Sequence, residues 1–454
     1  MKILFVTTAI PFPPRQGVEL PNAHIAEALS QAFELDLLVI TKNEEEKQQL
    51  HERQKNVPKS IHQTLHLHCR DQRSTRAKIF QEIQLKAPSF FLQGYAADDL
   101  NQLFSASPYD AVWFSPVGCL GLLKACQQLG LTIAPQVALG CNDVITTTYF
   151  DSLKEWLSGR MGFSRQRLLQ GLRTGVILLL EKRYLQQVDL LHVQTPLEKK
   201  RAHWVLSNQA KQPQVIAAQN GRKRLLEKVT YQSQCAPAAK RVLYMTHLQG
   251  GRAKESLWFL ERVWPKVIQT HPDAELLLAG TPPLANSDMA RSLPPEAQVL
   301  GYVEDLVALY SSATVAVVPI VHSTGLINRA LDALMAGVPL VSTPAVLSTI
   351  ANCEPGRDAI AAYSATDFSQ AICTLLANPE QRKTYSIQGR ALAQQQPTWQ
   401  ESTNAIVSAL REICHLEKSA SPASQASQAS QESSQTTGDK KPKERSTPSL
   451  QPHS

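Results

Sequence analysis

The chain runs to 454 residues, 43% hydrophobic and 19% charged, with a formal net charge of +7. That length exceeds one ordinary core and predicts two domains, and the composition excludes a wholly disordered chain. Residues 417–454 hold five Lys or Arg against four Asp or Glu, so +6 resides on the rest, a mild excess compatible with anionic substrates or an anionic membrane surface. No compact run alternates basic and aromatic residues, which argues against nucleic acid as a partner. The eight cysteines are scattered without a CxxC pair, as in a reducing cytosol. Only Cys69 has histidines close by, His62, His66 and His68; their alternation with Leu65 and Leu67 reads as a half-exposed strand, so no metal site is expected. The N-terminus runs straight into a strand without signal-peptide anatomy, and the aliphatic run at 176–180 is far short of the ~20 residues that span a bilayer. A cytoplasmic protein is expected.

In chain order, residues 2–8 predict a strand, 9–18 a proline-rich loop containing Gly17, 22–33 a helix, and 34–41, with its LDLLVIT, a second strand. This β, loop, α, β opening begins a doubly wound domain. Gly17 is either a close-approach glycine for a phosphate or acceptor, or a turn glycine. Residues 42–59 read as a polar surface helix and connection, 88–105 as a helix, 108–114 as a strand with its lead-in, and 134–139 as the next strand. At its carboxyl end lies Gly140-Cys141-Asn142-Asp143-Val144, where Asp143 either faces a reacting group in the cleft or caps the following helix.

Residues 160–187 form a long helical segment with Arg160, Arg165, Arg167, Arg173, Lys182 and Arg183 set against leucine-rich faces. Such a helix either lies peripherally on anionic lipid or is a domain helix with a solvated basic side. A strand at 190–194, a helix at 195–204 and a strand at 214–220 follow, the last ending in the turn dipeptide Asn220-Gly221. Residues 222–237 are basic, then irregular, and fit a linker.

The alternation restarts with a strand at 241–245, a helix at 255–270 kinked at Pro265, a strand at 275–279 closed by Gly280, a brief strand at Val299 and a helix at 306–312. Residues 315–344 then pack strand, glycine turn, helix and strand into one run. Ser323-Thr324-Gly325 is the turn, with a candidate N-cap. Apolar residues at 326, 327, 330, 331, 334 and 335 give a helix over 326–336, which Gly337 and Pro339 stop. A strand, a loop and a helix N-terminus in that order aim backbone N–H groups and the positive end of the helix dipole at the carboxyl edge of a sheet, a place that suits a phosphate. Helices at 368–376, 381–394 and 403–416 complete the fold. The SQAS-rich segment from 419 onward reads as a disordered tail.

The run Gly325-Leu326-Ile327-Asn328-Arg329-Ala330-Leu331-Asp332-Ala333-Leu334-Met335-Ala336 resembles the nucleotide-sugar signature of GT-B glycosyltransferases of the family 4 type, and within them the exopolysaccharide-associated sugar transferases. The strand around Tyr109-Asp110, the Asn220-Gly221 turn, LLLAG at 276–280, GYVEDL at 301–306 and Pro397-Thr398-Trp399 are similar to family elements in the same order. The resemblance implies an α/β GT-B fold: two Rossmann-like doubly wound domains facing a cleft, with a C-terminal helix crossing back to the first. The implied division is 1–222 on the acceptor side, 223–240 as linker, 241–396 for the nucleotide sugar, 397–416 as crossover helix and 417–454 as tail.

It further implies transfer of a sugar from a nucleotide diphosphate sugar to a glycan or lipid-linked acceptor, with retention at the anomeric carbon, in polysaccharide or cell-surface glycan synthesis, without a metal or cofactor. Carried over residue by residue, His247 and Arg252 take the places of the two cations on the diphosphate, and Gly325, Leu326, Asn328 and Arg329 line the donor nucleotide. Asp332 holds the ribose, Thr324 stands where the family carries a glutamate near the donor sugar, Asp143 faces the reacting sugar, and Gly17 lies in the acceptor or phosphate loop. Because Thr324 and His247 both replace charged groups, two rivals stay open. One is a homologue without turnover that serves as a binding or scaffold subunit; the other is a different GT-B reaction such as nucleotide-sugar epimerisation. No motif fixes the base, the sugar or the acceptor.

Overall fold

The computed structural model describes residues 1–8, 10–14, 19–105, 108–140, 165–207, 209, 211–229, 240–249, 253–321 and 325–420. The first part of the chain alternates β1 (Lys2–Thr7), α1 (Glu19–Ala32), β2 (Glu34–Thr41), α2 (Glu44–Gln54), β3 (Gln63–His68), α3 (Thr75–Ile83), α4 (Ala97–Phe104), β4 (Ala111–Ser115), α5 (Leu120–Gln128), β5 (Gln136–Gly140), α6 (Arg165–Leu185), β6 (Leu190–Val193), α7 (Pro196–Val205) and β7 (Gln214–Ala217). The second part continues with β8 (Lys240–Met245), α8 (Ala253–Arg262), α9 (Trp264–Thr270), β9 (Ala274–Ala279), α10 (Asp288–Arg291), β10 (Ala297–Gly301), α11 (Leu306–Ser312), β11 (Val315–Val318), α12 (Asn328–Ala336), β12 (Leu340–Ser342), α13 (Pro344–Leu347), β13 (Ile360–Ala361), α14 (Ala365–Ala377), α15 (Pro379–Gln395) and α16 (Trp399–Ala420).

The strands form two separate parallel sheets, ordered β3-β2-β1-β4-β5-β6-β7 and β10-β9-β8-β11-β12-β13. Both have the doubly wound plan. Parallel strands covered by helices on both faces are buried throughout, which is why β2 and β4 read as continuous apolar runs rather than alternating ones. One face of the first sheet packs on α5, α6 and α7, the other on α1 and α16. In the second sheet α12 covers one face, while α8, α9 and α14 cover the other.

Several sequence expectations are corrected in detail. Residues 88–105 are not one helix; a loop runs to Ala96 and only Ala97–Phe104 is helical. Gly94 sits in that loop at φ +93, where its backbone passes so close to the Arg70 carbonyl that a Cβ would lie 2.7 Å from the oxygen. The segment 255–270 is two helices rather than one kinked helix, with Pro265 in the first turn of the second, where its missing N–H matters least. The final helix is longer than 403–416 and runs Trp399–Ala420, which places the first residues of the expected tail in a helix. The rest of that tail, 421–454, lies outside the described residues.

Arg173 of α6 faces inward, its guanidinium Nη2 2.9 Å from the buried Glu82 carboxylate of α3. That basic position of the long helix is part of the domain packing. No described helix is long and apolar enough to cross a membrane.

Two stretches connect the sheets side by side, one after β7 and one before α16. Gln219 Nε2 donates to Gln396 Oε1 at 2.8 Å, Arg222 N–H to the Pro397 carbonyl at 3.0 Å, and Arg222 Nε to the Gln396 carbonyl at 3.0 Å. Trp399 stacks on His24 of α1 with ring centroids 4.1 Å apart. Gly221 is required by this crossing: a Cβ there would lie 2.1 Å from the Trp399 amide nitrogen. From that point α16 returns to the first sheet and packs on α1, burying Ile406, Leu410 and Ile413.

Candidate functional site

In a doubly wound sheet the ligand crevice opens beyond the carboxyl ends of the two strands where the winding reverses. The second sheet reverses between β8 and β11. The residues that follow these two strands are 246–252 and 319–327, which hold His247, Arg252, Gly325 and Leu326; Asn328, Arg329 and Asp332 are in the helix that comes next. In the first sheet the reversal lies between β1 and β4. There Ser115 Oγ donates to Asn22 Oδ1 at 2.7 Å and Asn22 Nδ2 donates to Thr7 Oγ1 at 3.3 Å, so a buried polar chain joins both strand ends to α1.

The helix after β11 begins at Asn328, two residues later than expected, and its N-cap is Ile327, without a side-chain cap hydrogen bond. The capping role expected for the Ser323-Thr324 turn is therefore not how this helix starts. Its end is as the sequence dictates: Gly337 adopts φ +74, and the Gly337 and Val338 amides return to the carbonyls of Leu334 and Ala333. Leu326 is buried in the core of the second sheet, and Gly325 is half-buried at the mouth of the turn.

Asp332 is on the second turn of α12 and is buried. Its Oδ2 accepts a hydrogen bond from Lys223 Nζ at 2.7 Å, across the two parts of the chain. Burial raises the Asp332 carboxyl above the ordinary aspartate range, and the Lys223 ammonium opposes that rise. Asn328 is bridged to the same connecting stretch, with Asn220 Nδ2 2.9 Å from Asn328 Oδ1. Arg329 shares its surroundings with two buried tyrosines. Its carbonyl accepts from the Tyr310 hydroxyl at 3.4 Å, and its charge acts on both Tyr244 and Tyr310. Tyr310 OH also approaches Met245 Sδ at 3.1 Å, at the end of β8. Burial, and secondarily the Asp332 charge, push the Tyr310 hydroxyl well up, so it stays neutral.

His247 lies exposed just beyond β8, its Nδ1 2.7 Å from Thr281 Oγ1 beyond β9. These two strand ends meet closely. Gly280, at φ +125, has its Cα where a side chain would collide with the Thr246 carbonyl at 2.1 Å. Asp143, Thr324, Arg252 and Gly17 lie outside the described residues. The structure thus puts Asn328, Arg329 and Asp332 on the first two turns of α12, His247 beyond the neighbouring β8, and Asn220, Lys223 and Tyr310 in contact with α12. Lys223 could not be found from sequence, since nothing at the 109-residue separation signals its pairing with Asp332.

Residues 239–378 match the family model described as Glycosyl transferases group 1. That match spans the strands of the second sheet, β8 to β13. No curated protein matches the chain. Among solved structures, Anabaena HepE in complex with UDP and glucose is similar at 14% identity over 90% of this chain and 99% of its own, with a TM-score of 0.60. Sucrose-phosphate synthase from Thermosynechococcus elongatus is similar at 16% identity over 91% and 99%, TM-score 0.62. A TarM variant from S. aureus, in complex with fondaparinux, alpha-GlcNAc-glycerol and UDP, is similar at 10% identity over 90% and 99%, TM-score 0.58. At such identities the likeness is one of fold, and that fold is GT-B over both sheets. The group 1 domain and the shared fold together support a glycosyltransferase.

Proposed function

We propose that the chain is a retaining glycosyltransferase of the family 4 type, which moves a sugar from a nucleotide diphosphate sugar to a glycan or lipid-linked acceptor in polysaccharide or cell-surface glycan synthesis. The observation that carries this reading is the buried Asp332 carboxylate on the helix that follows β11, at the winding reversal of the group 1 domain. HepE and TarM are seen with UDP, which makes UDP-sugars the first donors to try.

In this reading Asp332 accepts the ribose hydroxyls. Arg252, with His247 and Arg329 in support, and the N-terminus of α12 stabilise the departing diphosphate. That assistance is electrostatic: fixed positive charge and dipole are aimed where negative charge develops in the transition state. His247, an exposed imidazole rather than a guanidinium, is the weaker cation of the set. Asp143 and Thr324 face the reacting sugar, and Gly17 belongs to the acceptor side. The scheme gives no step to a metal, so a chelator should leave turnover unchanged.

Release of nucleoside diphosphate from a panel of UDP-, GDP- and dTDP-sugars, with cell-extract glycolipids and glycans as acceptors, tests the reading. Turnover on one donor is the expected result. Arg252→Ala should then weaken binding of that donor's nucleoside diphosphate by about tenfold more than binding of the bare nucleoside, as loss of a charge-assisted contact requires. Tight nucleotide binding without turnover on any donor would instead favour a binding or scaffold subunit.

A further inference from the structure

Asp332 is a buried acid whose charge would be costly alone, and its counter-ion comes from the stretch that follows β7 and packs on α12. Lys223 belongs to the stretch that leaves the first sheet after β7, and its Nζ lies 2.7 Å from Asp332 Oδ2, with the two side chains 22% and 6% exposed. The stretch is fixed on both flanks. Ahead of Lys223, Arg222 Nε donates to the Gln396 carbonyl. Behind it, Arg390 of α15 donates to the carbonyls of Leu226, Glu227 and Val229 and, through Nε, to that of Met335 at the end of α12. The lysine backbone is therefore tied to the same helix that carries Asp332.

The other charged or titratable groups that act here are few among the described residues. Tyr310 of α11 is neutral, Arg329 of α12 acts on Tyr310 and Tyr244, and His24 of α1 is pushed down to about 4 by burial and then by the Lys223 charge. None of them supplies the hydrogen bond to the Asp332 carboxylate that Lys223 does.

We infer that Lys223 is a positioning residue of the donor site: it keeps Asp332 ionised and fixes its carboxylate through Oδ2, so that the carboxylate accepts ribose hydroxyls instead of carrying a proton of its own. The inference rests on the donor-site reading given above. An aspartate is one methylene shorter than the glutamate of similar signatures, which sets the carboxylate deeper. The Lys223 ammonium, more exposed than its partner and with two further N–H groups beyond the one on Asp332, stands at the mouth of that recess and can donate to the same hydroxyls.

The test measures UDP, GDP and dTDP binding by calorimetry to the full-length protein and to its Lys223→Met and Lys223→Arg variants, between about pH 5.5 and 9. With the nucleotide that binds, Lys223→Met should lower affinity about tenfold near neutral pH and recover as the pH rises, because Asp332 without its counter-ion ionises later. Lys223→Arg should keep both the affinity and the pH profile. A Met variant with the affinity and profile of the unaltered protein, a loss that does not change with pH, or an Arg variant that behaves like Met overturns the inference while leaving the donor reading standing. A purely structural lysine would lower the thermal midpoint of the Met variant without moving the pH profile. If the unaltered protein binds none of the nucleotides, the donor reading fails and this inference with it.

Discussion

At the scale of single residues, the site is governed by a buried acid rather than by a cluster of exposed charge. Asp332 carries the ribose role in the sequence resemblance and is buried against Lys223 in the structure. Its carboxyl is raised by burial, so its ionised fraction declines on acidification at a higher pH than that of an exposed aspartate. Binding that needs the ionised form must then weaken as pH falls through that raised value and be full above it. The expected outcome is that UDP affinity of the unaltered protein, followed by calorimetry, declines as the pH is lowered, whereas Asp332→Asn binds about tenfold more weakly at neutral pH and shows a flat profile. An Asn variant that binds like the unaltered protein removes Asp332 from the ribose. Asn328, Arg329 and Asp332 were singled out in the sequence by the resemblance of 325–336 to the nucleotide-sugar signature. The partners Asn220 and Lys223, on the stretch after β7, and Tyr310, on α11, were not, because they meet α12 through tertiary packing alone.

At the scale of elements, the strand, turn and helix over 315–344 show what local sequence decides and what it leaves open. The helix end was legible: Gly337 in the left-handed region is a stop that its neighbours' amides require. The helix start was not, since Ile327, which has no capping side chain, takes the N-cap position. The start of the helix expected over 88–105 was not legible either: the chain stays in a loop to Ala96, where Gly94 passes close to the Arg70 carbonyl. The glycine stop gives a direct expectation. Gly337→Ala forces a Cβ into a φ of +74 and sets it 2.9 Å from Ser386 Oγ of α15. A left-handed alanine costs about 1–2 kcal/mol, so the thermal midpoint of this domain should fall by roughly 2–8 °C, read by circular dichroism. An unchanged midpoint would mean that α12 ends differently in solution.

At the scale of the whole molecule, the order of strands and helices was readable because every parallel strand is a short apolar run set off by turns, and the same alternation occurs twice. The joint between the halves was readable only in outline. The Asn220-Gly221 turn and the Pro397-Thr398-Trp399 run each look like ordinary loop chemistry, and only the fold lays them side by side with Gly221 against the Trp399 backbone. This arrangement makes α16, a helix at the far end of the chain, part of the first sheet's core. It buries Ile406, Val407, Leu410 and Ile413 against α1 and the β5, β6 and β7 side of the first sheet. Each such side chain is worth about 1.5–3 kcal/mol on burial, so the four together contribute on the order of 6–12 kcal/mol. That is comparable with the whole net stability of a typical domain, about 5–15 kcal/mol. Ending the chain before Trp399 should therefore leave the first domain unfolded and the protein insoluble, with the apolar faces of α1 and of the sheet at β5 to β7 uncovered. Ending it after Ala420 removes only a Ser- and Gln-rich segment with almost no apolar residues and should leave the thermal midpoint and nucleotide affinity unchanged. A soluble, cooperatively melting protein lacking residues 399–454 would show that the first sheet does not depend on the returning helix.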